Sequence, residues 1–321
     1  MAKQVTVETS RQVKEMRGLA IGGVGILIFS LTLPASHLAV ASFGSLLVGP
    51  GRALISAVFA GFLLAFKHER WPGRHHLPRL AIIAGGAIFG FPLLTAWAMD
   101  RVPASHGAIE LALLPLTTAT VAALRHGERP SGGFWLSSAA AAASVVFYVI
   151  IEGLGSIHWP DVALLAAVVV VAFAYAEGGQ LAQDLGGWQV IAWAIVLSAP
   201  VVLVLDATVV ISHPDLVINA SWKAWAALLY LGTGSQFFGF VAWYSGMSMG
   251  GVARVSQAQY LQPFLTLIWS WILLGERLTW VTILAAVVVV AWVAIGKQSP
   301  IRHNDRRAAR KQIEPIIPPK Q

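Results

Sequence analysis

The sequence has no cysteine and very little charge: of its 321 residues, 12% are Asp, Glu, Lys or Arg. Without cysteine there is no disulfide, no thiolate metal site and no cysteine nucleophile. The shortage of charge excludes more. A soluble domain carries about 25% charged residues, and a chain that is 57% hydrophobic, with a mean hydropathy of +0.70, lacks the material for such a surface. There is also no Walker loop and no His-Glu-x-x-His pair. The nine histidines are scattered, and Arg74-His75-His76 falls in a loop. No enzyme constellation is visible and no ATP site, so neither a cofactor nor a metal is expected. What is there instead is a succession of apolar runs, and the class they define is an all-α polytopic membrane protein.

A span needs about 20 apolar residues. Ten candidates run over 18–35, 47–66, 79–99, 103–124, 133–151, 161–179, 188–205, 222–245, 251–273 and 279–296. The first follows the mixed-charge stretch RQVKEMR and reads as a retained span. The first two are the hardest to separate, because LPASHLAVASFG between them is itself fairly apolar. The connections are too short for a soluble domain. The net charge of +7 comes from short loops and tails, which is the pattern of cytoplasmic flanks and not of a nucleic-acid surface. Lys3, Arg11, Lys14, Arg17, Lys67, Arg70, Arg74, Arg79, Arg125 and Arg129 fall on one side, with the basic tail. Arg101, Lys223 and Arg277 fall on the other. Both termini are therefore expected in the cytoplasm.

Two of the runs end alike. ALLPLTTATVAALRHGERP, ending at Pro130, and LQPFLTLIWSWILLGERL, ending at Leu278, both carry Pro and then Gly-Glu-Arg. With Pro115 set on Pro263, Gly127 falls on Gly275, Glu128 on Glu276, Arg129 on Arg277, Leu113 on Leu261 and Thr118 on Thr266, with no gap. Upstream, Thr95-Ala96-Trp97 parallels Val241-Ala242-Trp243 once two loop residues are allowed. The chain reads as a duplicated unit of five spans. Five is odd, so the two copies are expected to enter the bilayer with opposite orientation, a recurring plan in secondary transporters.

On these residues the sequence resembles the EamA-type transporters of the drug/metabolite transporter superfamily, whose two five-span repeats each carry a Pro in the fourth span and a Gly-Glu after it. The resemblance implies a cytoplasmic segment over 1–17, a first repeat over 18–151, a second over 161–296 and a cytoplasmic tail over 297–321, which its composition marks as disordered. It further implies export from a bacterial inner membrane. Glu128 and Glu276 then sit at equivalent turns on opposite sides. They are turn residues that mark the exit into water, or part of a gate that opens on one side at a time. Gly at the end of the run suits a helix terminus.

Ionisable residues inside a span are expensive and face a cavity by default. Glu110 is the leading case: it lies within span four, one turn after His106 and shortly before Pro115. A carboxylate there is a candidate to bind a cationic group or to take up a proton. Ser256, Gln259, Tyr260 and Pro263 share one face of span nine, as a cavity wall or as interhelical hydrogen bonding. Gln236, Trp243 and Tyr244 in span eight, with Trp97 in span three, are candidate further walls, although Trp97 and Trp243 suit an interfacial belt equally well. Arg254 and Arg52 are expected to snorkel to headgroups rather than to hold a substrate carboxylate. Glu177 lines a vestibule or marks the end of span six. Gly86 to Gly90 (GAIFG) is a small-xxx-small pattern for close helix approach, and Pro92, Pro115 and Pro263 are candidate breaks or hinges.

The expected function is a secondary transporter that exports small polar or amphipathic metabolites, such as an amino acid or amine, by alternating access. Its expected partners are a small-molecule substrate, the lipid bilayer and, as a candidate coupling ion, protons, with a monomer or homodimer as the working form. Export of hydrophobic cations or of a lipid-linked sugar is the alternative within transport. A membrane-embedded enzyme or sensor is the alternative outside it.

Overall fold

The computed structural model describes residues 2–126, 129–152, 157–250, 255–298 and 301–302. Gly127, Glu128, Arg254 and nearly all of the tail lie outside the described residues, and with them the readings made for those positions. The chain is helical almost throughout, apart from a two-residue antiparallel pairing of Arg129–Pro130 with Ile301–Arg302. Among the described residues, five segments are long and apolar enough to cross a membrane: Met16–Phe66, Arg74–Met99, Ala104–Arg125, Trp159–Leu185 and Gly187–Ser212. Trp135–Ile151 and Trp280–Trp292 are shorter apolar helices.

The first apolar region differs from expectation. Helix α1 (Ala2–Ser30) gives way after one residue to α2 (Thr32–Phe66), a break at Leu31 inside the expected first span, while the backbone leaves helical geometry at Gly44, within the gap expected between the first two spans. Gly44 has φ 69° and ψ 163°, a conformation that a Cβ would oppose. The break at Leu31 has a chemical cause in Pro34. Proline has no N–H to return to the carbonyl four residues earlier, which here belongs to Ser30. Other helices satisfy the freed groups: Thr266 Oγ1 donates to Ser30 O at 2.8 Å, and the Tyr230 hydroxyl donates to Ile28 O at 2.5 Å.

Two later helical segments are interrupted in mid-course by π-type turns, which are uncommon and cluster at functional positions. α3 (Leu77–Ile83) passes through Ala84–Gly90 into α4 (Phe91–Met99). α11 (Trp222–Tyr230) passes through Leu231–Gly239 into α12 (Phe240–Gly250). The two irregular stretches are tied together, since Gln236 Nε2 donates to Ala87 O at 3.1 Å.

The two proline-bearing runs break at matching positions. α5 (Ala104–Leu111) gives way at Ala112–Leu113 to α6 (Leu114–His126). A 3-10 turn over Ser256–Leu261 gives way to α13 (Gln262–Trp269), which ends in π turns over Ser270–Leu274. Pro115 and Pro263 each stand second in the new helix. They start helices rather than kink them, because the first turn has no call on their missing N–H. α7 (Gly132–Glu152), α8 (Trp159–Leu185), α9 (Gly187–Ser212), the short α10 (Asp215–Ile218) and α14 (Trp280–Gln298) complete the chain.

In a bilayer, helices associate through close packing rather than through expulsion of apolar surface from water. α1 packs on α12, and α8 packs on α4. α2 lies against α4 and α9, α9 against α12, α7 against α14, and α5 against α13. α1 and α12 approach each other closely. A Cβ added at Gly18 would sit 2.4 Å from the Gly250 nitrogen, and one at Gly246 would sit 2.6 Å from the Gly22 nitrogen. The small-residue pattern in the first half is used similarly: Gly86 and Gly90 both face Val170 of α8.

Candidate functional site

The start of α5 meets the start of α8 in a cluster of titratable side chains. Asp161 occupies the first turn of α8, where its Oδ2 accepts the N–H of His158 at 2.6 Å and closes a capping box. The cap fixes the carboxylate, and its other oxygen, Oδ1, lies 2.8 Å from His106 Nε2. An ionised carboxylate only accepts, so the imidazole donates from Nε2. The same nitrogen is 3.2 Å from Glu110 Oε1, one turn further along α5, but without hydrogen-bond alignment. Glu110 is fully buried, and neither of its oxygens has a hydrogen-bond partner among the described residues. One ligand atom from each of His106, Glu110 and Asp161 falls within 4.8 Å of the others. The donor set suits a cation: an ammonium group, a shared proton or a small metal ion.

The cluster is reached from a cavity of about 620 Å³ lined by Arg101, Ser105, His106, Tyr148, Asp161, Glu276 and Thr282 among others. The Tyr148 ring lies 5.4 Å from the imidazole, centroid to centroid. Across the cavity, Glu276 closes over the head of α5. Its Oε1 accepts the N–H of Ala104 at 2.8 Å and its Oε2 the N–H of Ser105 at 2.9 Å. Pro103, at the N-cap position of α5, supplies no side-chain cap of its own. The orphan amides at the positive end of the helix are therefore satisfied by a carboxylate from far along the sequence. Gly275 makes this reach possible, because its left-handed φ of 67° ends the preceding segment and turns Glu276 back.

A second charged group lies at the other end of α8; from Asp161 to Glu177 the helix axis rises about 24 Å. Glu177 is buried and held between two guanidinium groups. Arg79 Nε donates to Oε2 at 2.9 Å, and Arg125 Nε donates to Oε1. Arg79 also donates to Gln180 Oε1 at 3.2 Å and lies 3.7 Å from Asp184.

The expected site residues divide among several places. His106 lines the cavity, and Glu110 stands behind it, fully buried. Trp97 stands apart, partly exposed and covered by the Arg101 guanidinium at 4.2 Å. Trp243 is fully buried among Phe29 and Tyr175, with ring centroids 6.4 and 5.6 Å away. The Tyr244 hydroxyl donates to Ala174 O at 3.1 Å, and Gln236 binds Ala87 as described. Ser256 and Gln259 are buried, Tyr260 is partly so, and both amide atoms of Gln259 lack partners among the described residues. Pro115 and Pro263 begin helices, and Glu128 lies outside the described residues.

Sequence reasoning passed over Asp161, although an acid just after Pro160 at the head of an apolar run is a helix-start signal. It also passed over Asp206 of α9, which is buried against Gly51 of α2. Arg52 requires a correction: it does not snorkel to the surface but is 2% exposed within α2. Gly232, in the π turns beyond α11, packs against its backbone from more than a hundred positions away, so the local sequence carries no sign of this burial.

A bundle of apolar helices with irregular turns at mid-course and a buried acidic cluster beside a cavity is the build of a membrane transport protein. The EamA-like transporter family model matches residues 16–150 and again 158–295. The uncharacterized transporter YdeK of Bacillus subtilis (strain 168) is 40% identical over 285 residues, spanning 89% of this chain and 98% of that protein. A probable terminal-alkyne amino-acid exporter of Streptantibioticus cattleyicolor is 23% identical over 251 residues, 78% of this chain and 83% of that one. A solved crystal structure shares the fold at a TM-score of 0.59 and 18% identity, covering 87% of this chain and 94% of the other. The chain belongs to the EamA-like transporter family, within the drug/metabolite transporters.

Proposed function

We propose that the protein is a secondary transporter that exports a small polar or amphipathic metabolite, amino-acid-like or amine-like, across the bacterial inner membrane. In this reading residues 18–151 and 161–296 are two five-helix repeats of opposite orientation, and both termini are cytoplasmic. Three features support it. The helix breaks before Pro115 and Pro263 recur at the spacing of the sequence repeat. Two packed pairs have counterparts: across the halves α1 on α12 answers α8 on α4, and within them α2 on α4 answers α9 on α12. The family's two matched segments divide the chain at the same point.

The observation that carries the substrate reading is the Glu110 carboxylate, buried and without a hydrogen-bond partner among the described residues, beside His106 and Asp161 at the cavity. It receives the ammonium group of the substrate or a proton that exchanges with it. Glu276, and Glu128 at the equivalent turn, act as gate residues, each closing one side in turn, with Pro115 and Pro263 at the hinges. The amino-acid class is also the one named for the Streptantibioticus relative.

Uptake of a metabolite panel by inverted and right-side-out proteoliposomes tests this. Glu110→Gln is expected to lower flux at least tenfold and to remove its dependence on a pH gradient. Unchanged flux and unchanged pH dependence in that variant would overturn the proton and ammonium roles. A second reading, export of hydrophobic cations, draws on the buried ring cluster of Phe29, Tyr175, Phe240 and Trp243. Resistance of expressing cells to lipophilic cations separates the two.

A further inference from the structure

Arg52 raises a question that the acidic cluster does not answer. It is 2% exposed and is the sole lysine or arginine among the buried polar residues described. Its Nε has no hydrogen-bond partner among the described residues, and no described carboxylate lies within ion-pair distance of it. The neighbouring acid, Asp206, packs against the preceding residue: a Cβ on Gly51 would meet its Oδ2 at 2.9 Å. The α2 backbone at Arg52 is clamped, since Ser56 Oγ approaches both Arg52 O at 3.0 Å and Gly232 O at 2.7 Å. Tyr175, a member of the aromatic cluster, is close enough for its hydroxyl to feel the guanidinium charge.

A buried guanidinium without a counter-charge costs several kcal/mol. A transporter keeps an ionisable residue inside its spans where a ligand or a second conformation supplies the partner. We infer that Arg52 is the anchor for a carboxylate on the transported molecule. The planar fork of arginine matches a carboxylate in two hydrogen bonds. A single buried positive charge balances a monoanion, not a phosphate dianion. This rests on the transport reading and narrows it: the cargo carries a carboxylate, and the aromatic rings near Tyr175 receive its apolar part.

The test compares L-leucine, isocaproate and isoamylamine, which share a carbon skeleton but carry both charges, the acid alone or the amine alone. Melting temperatures of purified wild type, Arg52→Gln and Arg52→Lys are measured in detergent with each compound at millimolar concentration, because a ligand that binds the folded form raises Tm. L-Leucine and isocaproate are expected to stabilise the wild type. In Arg52→Gln the isocaproate shift is expected to vanish and the L-leucine affinity to fall at least tenfold, while the isoamylamine shift persists. Arg52→Lys is expected to be intermediate. The unliganded Tm of Arg52→Gln is expected to equal or exceed that of the wild type, because an unpaired charge has been removed. An isocaproate shift as large in Arg52→Gln as in the wild type, or absent from both, overturns the anchor. So does a fall in unliganded Tm that Asp206→Asn cancels, which would make Asp206 the partner. L-Leucine flux into proteoliposomes separates the two levels. Flux retained in Arg52→Gln removes the anchor and leaves the transporter; carboxylate binding lost with Arg52 but no wild-type flux removes the transport reading and leaves the anion site.

Discussion

The two ends of α8 hold the same kind of group in opposite ways. At the Asp161 end, Glu276 crosses from the second half of the chain and is met by two backbone amides at the head of α5. At the Glu177 end, the carboxylate is met by two arginines from the first half. The first contact sets a charge against a helix dipole beside an open cavity. The second is a three-member ion pair whose acid is buried. A cap of this kind contributes about 1 kcal/mol, whereas stripping the acid from a buried pair costs about 3 kcal/mol. The weaker contact therefore stands at the end where the cavity is, and the stronger one at the opposite end of α8.

The largest expected effect comes from breaking the stronger contact. Glu177→Gln leaves Arg79 and Arg125 facing each other without the carboxylate. Both arginines reach solvent in part, at 28% and 40% side-chain exposure, so the penalty falls to about 2 kcal/mol. A clear drop in the Tm of the detergent-purified protein is expected. A Tm within error of wild type would mean that the ion pair does not hold this end.

A second test asks whether rigidity between the two ends is set by packing. Gly246→Ala places a methyl group 2.6 Å from the Gly22 backbone nitrogen, and backbone cannot swing aside as a side chain can. The overpacking cost is about 1–3 kcal/mol. Gly23→Ala, on α1 beside Gly22, meets nothing within 4 Å and is the control, expected to leave Tm unchanged.

Breaking the weaker contact should change access more than stability. Glu276→Ala removes both acceptors from the Ala104 and Ser105 amides, at a cost of about 1 kcal/mol. The natural absence of cysteine makes the chain a ready background for labelling. A reporter at Ser105→Cys is expected to react several-fold faster with a water-soluble maleimide when Glu276 is alanine. Equal rates would remove Glu276 from the gate and leave it a cap.

How much of this was legible in the sequence follows from how far apart the interacting residues lie. The membrane class came from composition alone. The matching starts of α6 and α13 followed from proline chemistry, and the turn at Gly275 from the tolerance of glycine for positive φ; both are local properties. Glu276 was identifiable as a turn residue, but its hydrogen bonds to the α5 amides, at 2.8 and 2.9 Å, join it to Ala104 and Ser105, more than 170 positions away. Arg52 looked like a snorkelling residue because it lies near the start of an expected span. Its burial depends on α2 being pressed against Gly232, which no pattern around residue 52 reveals. The boundary at Gly44 falls in the expected gap between the first two spans but could not be placed more closely, because apolar character continues through it and hydropathy cannot see a change of backbone direction; the break at Leu31, inside the expected first span, gave no such signal.

The finest comparison sets one threonine against its repeat counterpart. Thr118 and Thr266 occupy matching positions and are both buried. Thr266 donates to the Ser30 carbonyl that Pro34 leaves free, whereas the Thr118 hydroxyl has no partner among the described residues. The difference lies in the facing helices: α8, packed against α6, runs unbroken through its middle and offers no spare carbonyl, whereas the α1–α2 junction does. Thr266→Val should therefore cost about 1 kcal/mol, because it leaves a buried carbonyl unsatisfied, and Thr118→Val should be neutral or slightly stabilising, because it removes an unpaired hydroxyl. Equal losses in Tm for the two variants would mean that the threonines serve packing alone, and that the broken first helix draws no support from Thr266.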